Sequence, residues 1–283
     1  YYMLSIMQTQ EAIRQHSRHH IRSINLYSPV ISKLFELSVL DRFSIYFETS
    51  DYQFGFKKNL SCRHVIFSVR NVIEHYVSNG STVNVCTLDL SKAFDRMNHC
   101  ALFIKLMERK FPSELLLILE HWFSFSETCV RWCGHSSYYF KLSAGVRQGG
   151  VLSPFLFAIF IDSIVTTIND SNVGCYLSTV CVSIFIYADD ILLIAPTVTG
   201  LQTLVNICEN ELNNIDMCIN AKKSVCIRFG SNFSNFCETI TSLNGAKFAW
   251  VDSSRYLGVY FVSGRLFRCS FSNAKCQFYK SFN

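Results

Sequence analysis

The chain has 283 residues, 49% of them hydrophobic, with a formal charge of +5 and 13 cysteines. That length and apolar content exclude a disordered tail and allow a core divided between two lobes. The mild basic excess permits a polyanionic partner without requiring one, and cysteines scattered inside apolar stretches predict free, buried thiols in a reducing, intracellular compartment.

Taken in chain order, the first 20 residues lack the basic-then-apolar order of a secretory signal and only weakly resemble a transit sequence. A start at Tyr1 and an end without a capping pattern read as a piece of a longer chain. A basic, helix-like stretch "EAIRQHSRHHIRS" (11–23) is followed by an apolar one at 30–43, where Val30, Leu34, Leu37 and Leu40 recur at helical spacing. Val65, Val69, Val72 and Tyr76 predict a second helix stopped by Asn79-Gly80. "STVNVCTLDL" then alternates as a β-branched strand ending near Asp89, and 91–110 returns to helical periodicity. Residues 112–123 read as helix, and 128–133 with 138–145 as the arms of a hairpin. A long apolar helix opens at Pro154, where a missing N–H costs least. Its run "VLSPFLFAIFIDSIV" is interrupted by Ser153, Pro154 and Asp162, short of the roughly 18 residues of a membrane span, so no membrane partner is expected. Strands around Asp189, a helix at 200–215 and short strands at 222–230, 246–251 and 256–261 complete an α+β class dominated by hairpins.

"SIFIYADDILLIA" (183–195) sets Asp189 and Asp190 at the tip of a hairpin with apolar arms. Alone, the pair reads as a plain turn, since Asp is a common turn former. Asp89, at the end of another apolar strand, changes this: three clustered carboxylates repel unless protonated or neutralised, and oxygen-only ligands suit a hard divalent cation such as Mg²⁺. Two such ions about 4 Å apart would serve nucleotidyl transfer or phosphodiester cleavage. Cys129 and Cys133 in "CVRWC" have no second pair at ligand spacing, which argues against zinc.

The ordered blocks "QFGFKKNLS", "LDLSKAFDRMNH", "SAGVRQGGVLSPFLFAIFID", "IYADDILL", "INAKKSVCIRFG" and "RYLGV" resemble the reverse transcriptase domain of non-LTR, LINE-type retrotransposons over about residues 22–262. The resemblance implies a right-hand polymerase: a palm with an antiparallel sheet backed by helices, and helical and hairpin fingers. It implies an RNA-directed DNA polymerase using an RNA template, a DNA primer, dNTPs and two Mg²⁺ ions, which Mn²⁺ could replace, in the nucleus or cytoplasm. Asp89 and Asp189 match the metal-binding aspartates, Asp190 the supporting carboxylate and the Leu90 carbonyl a further ligand. Phe94 matches the aromatic that excludes a 2′-hydroxyl, or is an ordinary core residue. Gln148 and Gly149 match the loop against nucleotide and template, with Gly149 and Gly150 allowing close backbone approach or merely capping a turn. Lys57 and Lys58 match basic residues on the triphosphate, Lys223 a proton donor to pyrophosphate; each is otherwise a solvated lysine. Tyr256, Leu257 and Gly258 match a primer-gripping hairpin; read bottom-up they form a short strand with a Gly bulge.

The resemblance divides the chain into an N-terminal region and fingers (1–79), a palm (80–262) with a fingers insertion at about 100–143, and a truncated thumb (263–283). It is loose before residue 50, where only Arg22 and Lys33 are retained, and Asn59, Cys62 and Asp216 stand where the family usually has Gly, Thr and Gly. Such departures would suit the runner-up reading, an inactive truncated remnant that at most binds nucleic acid. Group II intron and retron relatives share "QGG" and "YADD", but "LSKAFDRMNH" fits the LINE side better, and an RNA-synthesising enzyme would need Phe94 to admit ribose.

Overall fold

The computed structural model describes residues 30–282, apart from 130, 133, 134 and 148. The basic stretch 11–23 with Arg22, the Cys133 half of "CVRWC", and Gln148 lie outside the described residues.

A five-stranded sheet in the order β11-β10-β1-β9-β8 forms the centre, from β1 (Val83–Leu88), β8 (Ile184–Tyr187), β9 (Asp190–Ala195), β10 (Val225–Phe229) and β11 (Ala249–Trp250). Its pairings are antiparallel except β10 with β11. The "STVNVCTLDL" segment is therefore the middle strand, buried on both faces rather than on one. Its alternation still sorts side chains, since successive residues point to opposite faces. Cys86, Leu88, Ile191 and Leu193 enter one core cluster; Val83, Val85, Leu192 and Ile194 enter the other.

After the single-turn α3 (Ala93–Arg96), helices α4 (His99–Glu108), α5 (Ser113–Ser124), α6 (Ser153–Asp170) and α7 (Val198–Asn214) cover the first face. In α6 the apolar run leaves Phe157, Phe160, Ile161 and Ile164 completely buried, each contributing about 1.5–3 kcal/mol over exposure. The second face is covered by α2 (Cys62–Ser78), with Val65, Val69 and Val72 buried, and by a three-stranded sheet of β12 (Ser253–Tyr256), β13 (Val259–Val262) and β14 (Arg268–Ser270). A last helix, α8, spans Ser272–Phe282.

Helix α1 (Val30–Arg42) forms where helical spacing predicts, yet Val30, Leu34 and Leu37 stay exposed. The opposite side packs inward: Glu36 and Val39 are buried, and Phe35 stacks on Trp122 at 4.8 Å. The hairpin expected over 128–145 is present as two nested pairs of two-residue strands, β2 (Glu127–Thr128) with β5 (Phe140–Lys141) and β3 (Arg131–Trp132) with β4 (His135–Ser136). A small hairpin, β6 (Tyr176–Leu177) with β7 (Val180–Cys181), lies in a stretch whose sequence shows only buried thiols. Among the described residues every cysteine is free, and burial pushes the Cys175 thiol up to about 12. Among them, too, no helix is long and apolar enough to cross a membrane.

Candidate active site

The period of two that sorts β1 and β9 also decides where the acids go. Asp89 follows Val83, Val85 and Thr87 in parity, and Asp190 precedes Leu192 and Ile194, so both face the side of the β12–β13 hairpin. The register sets Leu88 opposite Ile191. Asp89 directly follows that last pair on β1 and Asp190 directly precedes it on β9, so the two acids sit at the same end of the sheet, close enough for the Asp89 charge to act on Asp190.

Tyr187 pairs with Asp190, so the hairpin tip is Ala188-Asp189, and Asp190 opens β9 rather than sharing the turn. Ala188 has φ 57°, a conformation that favours glycine at the first turn position. The turn is backed from outside by residues 52–54, which add to the β8 edge: Phe54 N donates to the Ile186 carbonyl at 2.8 Å, and Ile186 N to the Tyr52 carbonyl at 2.9 Å. Gly55 lies so close that a Cβ there would meet Ala188 N at 2.5 Å.

Burial, then the charges of Asp189 and Asp89, push the Asp190 carboxyl up to about 6, with Arg255 opposing. Asp89 is fixed through its backbone: its N–H donates to Ser224 Oγ at 3.1 Å, and its carbonyl accepts from Asn220 N at 2.8 Å. Its Oδ2 is shielded from solvent and has no hydrogen bond; Lys223 Nζ lies 3.6 Å away, an ion pair beyond hydrogen-bond reach. Leu90 forms an isolated bridge with Ile219 through its neighbours' bonds, Ser91 N to the Cys218 carbonyl and Asn220 N to the Asp89 carbonyl. Leu90's own carbonyl takes no part in it.

Among the described residues, no three His, Cys, Asp or Glu side chains form a ready-made metal cage. An unbonded, buried carboxylate oxygen on Asp89, whose charge together with that of Asp189 acts on Asp190, nevertheless fits a hard cation that keeps waters and takes phosphates as its remaining ligands. An open cleft of about 610 Å³, of nucleotide size, adjoins Asp89 and is lined by Leu90, Ser91, Lys92, Asp95, Arg96, Asn220 and Lys223. Asp189 and Asp190 lie outside its lining.

The other expected residues fall variously. Phe94 is half-buried, one ring face stacked on fully buried Phe157 at 4.5 Å and 28°. Lys57 is engaged: its Nζ donates to the Thr49 and Ser50 carbonyls at 2.9 and 2.6 Å. Lys58 is exposed and unbonded among the described residues. At Gly149 a Cβ would meet open space, so the position calls for glycine through its φ of +84° rather than through close approach; at Gly150 a Cβ would lie 2.7 Å from Ser153 Oγ. Tyr256 is in the core, its hydroxyl buried and unbonded, its pKa raised by burial and by the nearby Asp190 charge. Gly258 sits in a two-residue turn with Leu257 (φ 46° and 85°), not in a bulge, and that turn reaches the surface.

Several residues around the site are not legible as such in the sequence. Glu36, 3% exposed, accepts from the Val151 and Leu152 amides (Leu152 N at 2.9 Å) and so caps α6 beside the 144–150 loop. Asp162 accepts from Ser50 N at 3.0 Å and pairs with Arg109, holding the loop that Lys57 also grips. A glutamate on an apolar helix and an aspartate inside an apolar run carry no spacing that announces a partner 115 or 112 residues away.

Among known proteins, the chain is 26% identical over 225 residues to the Pol polyprotein of the Drosophila melanogaster type-2 retrotransposable element R2DM, covering 77% of this chain and 21% of that protein. It is 26% identical over 246 residues to the RNA-directed DNA polymerase from the mobile element jockey of the same species, covering 82% and 26%. The chain thus spans about a quarter of the length of these relatives. In structure it is similar to telomerase from Candida albicans in complex with a TWJ fragment of telomeric RNA (TM-score 0.56, 13% identity, 94% of this chain and 40% of that one), and to apo telomerase from Candida tropicalis truncated from its C-terminal domain (0.56, 16%, 84% and 43%). The antiparallel-dominated sheet with Asp89 and Asp190 at one end is consistent with a reverse transcriptase palm fold. A family model described as reverse transcriptase (RNA-dependent DNA polymerase) matches residues 13–261, and the chain belongs to that family, on the non-LTR retrotransposon side represented by R2 and jockey.

Proposed function

We propose that this chain is the RNA-directed DNA polymerase domain of a non-LTR retrotransposon, extending a DNA primer on an RNA template by nucleotidyl transfer from dNTPs. The observation that carries this is the convergence of three acids at one end of the sheet: Asp89 directly after β1, Asp190 at the start of the adjoining β9 with its pKa raised in part by the Asp189 and Asp89 charges, and Asp189 in the turn, with an unbonded buried oxygen on Asp89. The RNA held by one telomerase neighbour supports an RNA template.

Asp89, Asp189, Asp190 and the Leu90 carbonyl would hold two Mg²⁺ ions, or Mn²⁺ in their place. When bound, such a pair lowers the pKa of the primer 3′-hydroxyl and stabilises the leaving oxygen of an in-line displacement. Lys223, exposed in the cleft lining and 3.6 Å from Asp89, gives a proton to departing pyrophosphate. Phe94 screens the sugar with its free edge while Phe157 supports its back. Lys58 is the available cation for the triphosphate, Lys57 being spent on the 49–50 loop. The resemblance gives Gln148 and Gly149 the contact with nucleotide and template, and the Leu257-Gly258 turn, more than the buried Tyr256 ring, meets the primer end. The partition into an N-terminal region and fingers (1–79), a palm (80–262, with a fingers insertion at about 100–143) and the start of a truncated thumb (263–283) completes the reading, and the protein works in the nucleus or cytoplasm.

Primer extension on an RNA template with dNTPs and Mg²⁺ tests it: Asp189→Asn is expected to reduce extension by on the order of 10³-fold or more. Extension that survives this change removes the assignment. A folded wild-type chain that extends no primer yet binds the primer–template favours the inactive remnant.

A further inference from the structure

Two segments of the site are tied together by bonds to which the chemistry above assigns no role. Asn98 and Ala144 form an isolated antiparallel bridge; Gly145 N donates to the Met97 carbonyl at 2.8 Å and Val146 N to the Phe94 carbonyl at 2.9 Å. The backbones pass so closely that a Cβ on Gly145 would lie 2.8 Å from the Asp95 carbonyl oxygen and 2.9 Å from that of Phe94. One side chain closes the tie. His99 Nε2 lies 2.7 Å from the Gly145 carbonyl oxygen, and since a carbonyl only accepts, this nitrogen carries the proton. The ring itself is wedged edge-on against Phe123 at 4.6 Å, beside a small cavity of about 30 Å³ shared with Glu36, Trp122 and Arg147.

The consequence falls on Phe94. One face of its ring rests on Phe157, so its reach into the cleft is set by where its backbone is held, and that backbone is held by residues 145 and 146. We propose that His99 is a positioning residue for sugar selection: by donating to the Gly145 carbonyl it clamps residues 144–146 onto Phe94–Met97 and keeps the Phe94 ring where it screens the 2′ position. This rests on the reading of Phe94 as the sugar screen. A displacement of about 1 Å at a reacting centre costs up to ~10²-fold, so a partial loosening of this clamp is a selectivity effect of roughly tenfold.

In single-nucleotide extension with the full chain, His99→Leu is expected to lower the ratio of kcat/KM for dNTP over rNTP roughly tenfold, and His99→Gln, whose amide reaches the same carbonyl, to restore it. Phe94→Val measured alongside separates the two readings. An unchanged ratio in Phe94→Val overturns the sugar-screen reading; a relaxed ratio there with none in His99→Leu overturns the positioning role alone. Fluorine NMR with 4-fluorophenylalanine at position 94 needs no turnover. A shifted or doubled resonance in His99→Leu that returns in His99→Gln is the expected result, and a resonance untouched by His99→Leu overturns the proposal. Should His99→Leu not fold, His99→Asn, which keeps a donor but is too short to reach, takes its place in both measurements with the same expectations.

Discussion

The β8–β9 and β12–β13 hairpins meet at the site with turns of the same length and opposite surroundings. At Ala188-Asp189 an alanine is held at φ 57° and Gly55 is pressed against its backbone, leaving no room for a single added carbon. At Leu257-Gly258 both residues have positive φ, the geometry that matches strand twist, and Gly258 has no protein atom near its missing Cβ. The first turn holds its carboxylate on a backbone fixed from outside; the second leaves the Gly258 backbone open. Backbone strain of this kind persists only where the surroundings over-determine it, and around Ala188 the Gly55 backbone and the bonds of residues 52–54 to Ile186 supply that constraint.

That contrast breaks most forcefully at Gly55. Its φ is ordinary, so Gly55→Ala tests space alone: the added carbon must displace the Ala188 backbone, at a cost of about 1–3 kcal/mol. Denaturant unfolding should show that loss, and primer extension should fall further than stability does. A variant as stable as the wild type would mean the turn is not braced from outside.

Next in size is a dependence on pH. Asp190 titrates at about 6 in the folded chain against an ordinary 3.8. Between those values the folded state holds a proton that the unfolded state has released, so this group favours folding at the acid end, and its contribution fades as pH rises through about 6. The metal-free chain should therefore lose melting temperature between about pH 5 and about pH 7.5 relative to Asp190→Asn, which lacks the titration. Mg²⁺ requires the ionised acids, so its stabilisation by mass action should be present at about pH 7.5 and largely gone at about pH 5. Equal stabilisation at both values would separate Asp190 from the ions.

The comparison also shows what could be read without coordinates. The acids, the apolar arms and the strand that stops just before Asp89 were legible, because period-two burial and turn chemistry are local. That Asp190 rather than Asp189 belongs to the strand beside Asp89 was not, because it depends on the β1–β9 register and on a turn that spends Ala188 instead of Asp190. Lys57 and Lys58 look equivalent in sequence; only the fold of the 48–50 loop assigns one of them to backbone carbonyls. Glu36 and His99 were illegible for the same reason, since each is defined by a partner far along the chain. Helix α1 was recognised by spacing, but its packing face was not, since a buried Glu36 outranks three exposed aliphatics there.

Leu257 sharpens the same contrast at smaller scale. A leucine at positive φ costs about 1–2 kcal/mol, and Asn-Gly is the favoured pair for this turn. Leu257→Asn should stabilise the chain by about 0.5–1 kcal/mol, less than the relief of φ alone because the half-buried side chain leaves the second core cluster. If the turn meets the primer end, KM for primer–template should rise in this more stable variant. A stability gain with unchanged KM would leave the turn a purely structural element.

The smallest effect decides whether the family departures are decay. Asn59 and Asp216 stand where the resemblance expects glycine, and both have positive φ, 64° and 59°, which explains the expectation. Asn and Asp are the side chains that tolerate this region best. They differ in what else they do: Asp216 Oδ2 accepts from Asn98 Nδ2 at 2.5 Å, beside the start of α4, whereas Asn59 makes no side-chain hydrogen bond among the described residues. Asn59→Gly is thus expected to gain about 0.5 kcal/mol, and Asp216→Gly to change stability by less than about 0.5 kcal/mol, relief of φ being offset by the lost bond. Uncompensated decay would give both positions the same gain, so urea midpoints for the two variants distinguish a sequence that has drifted from one that has found a second solution at Asp216.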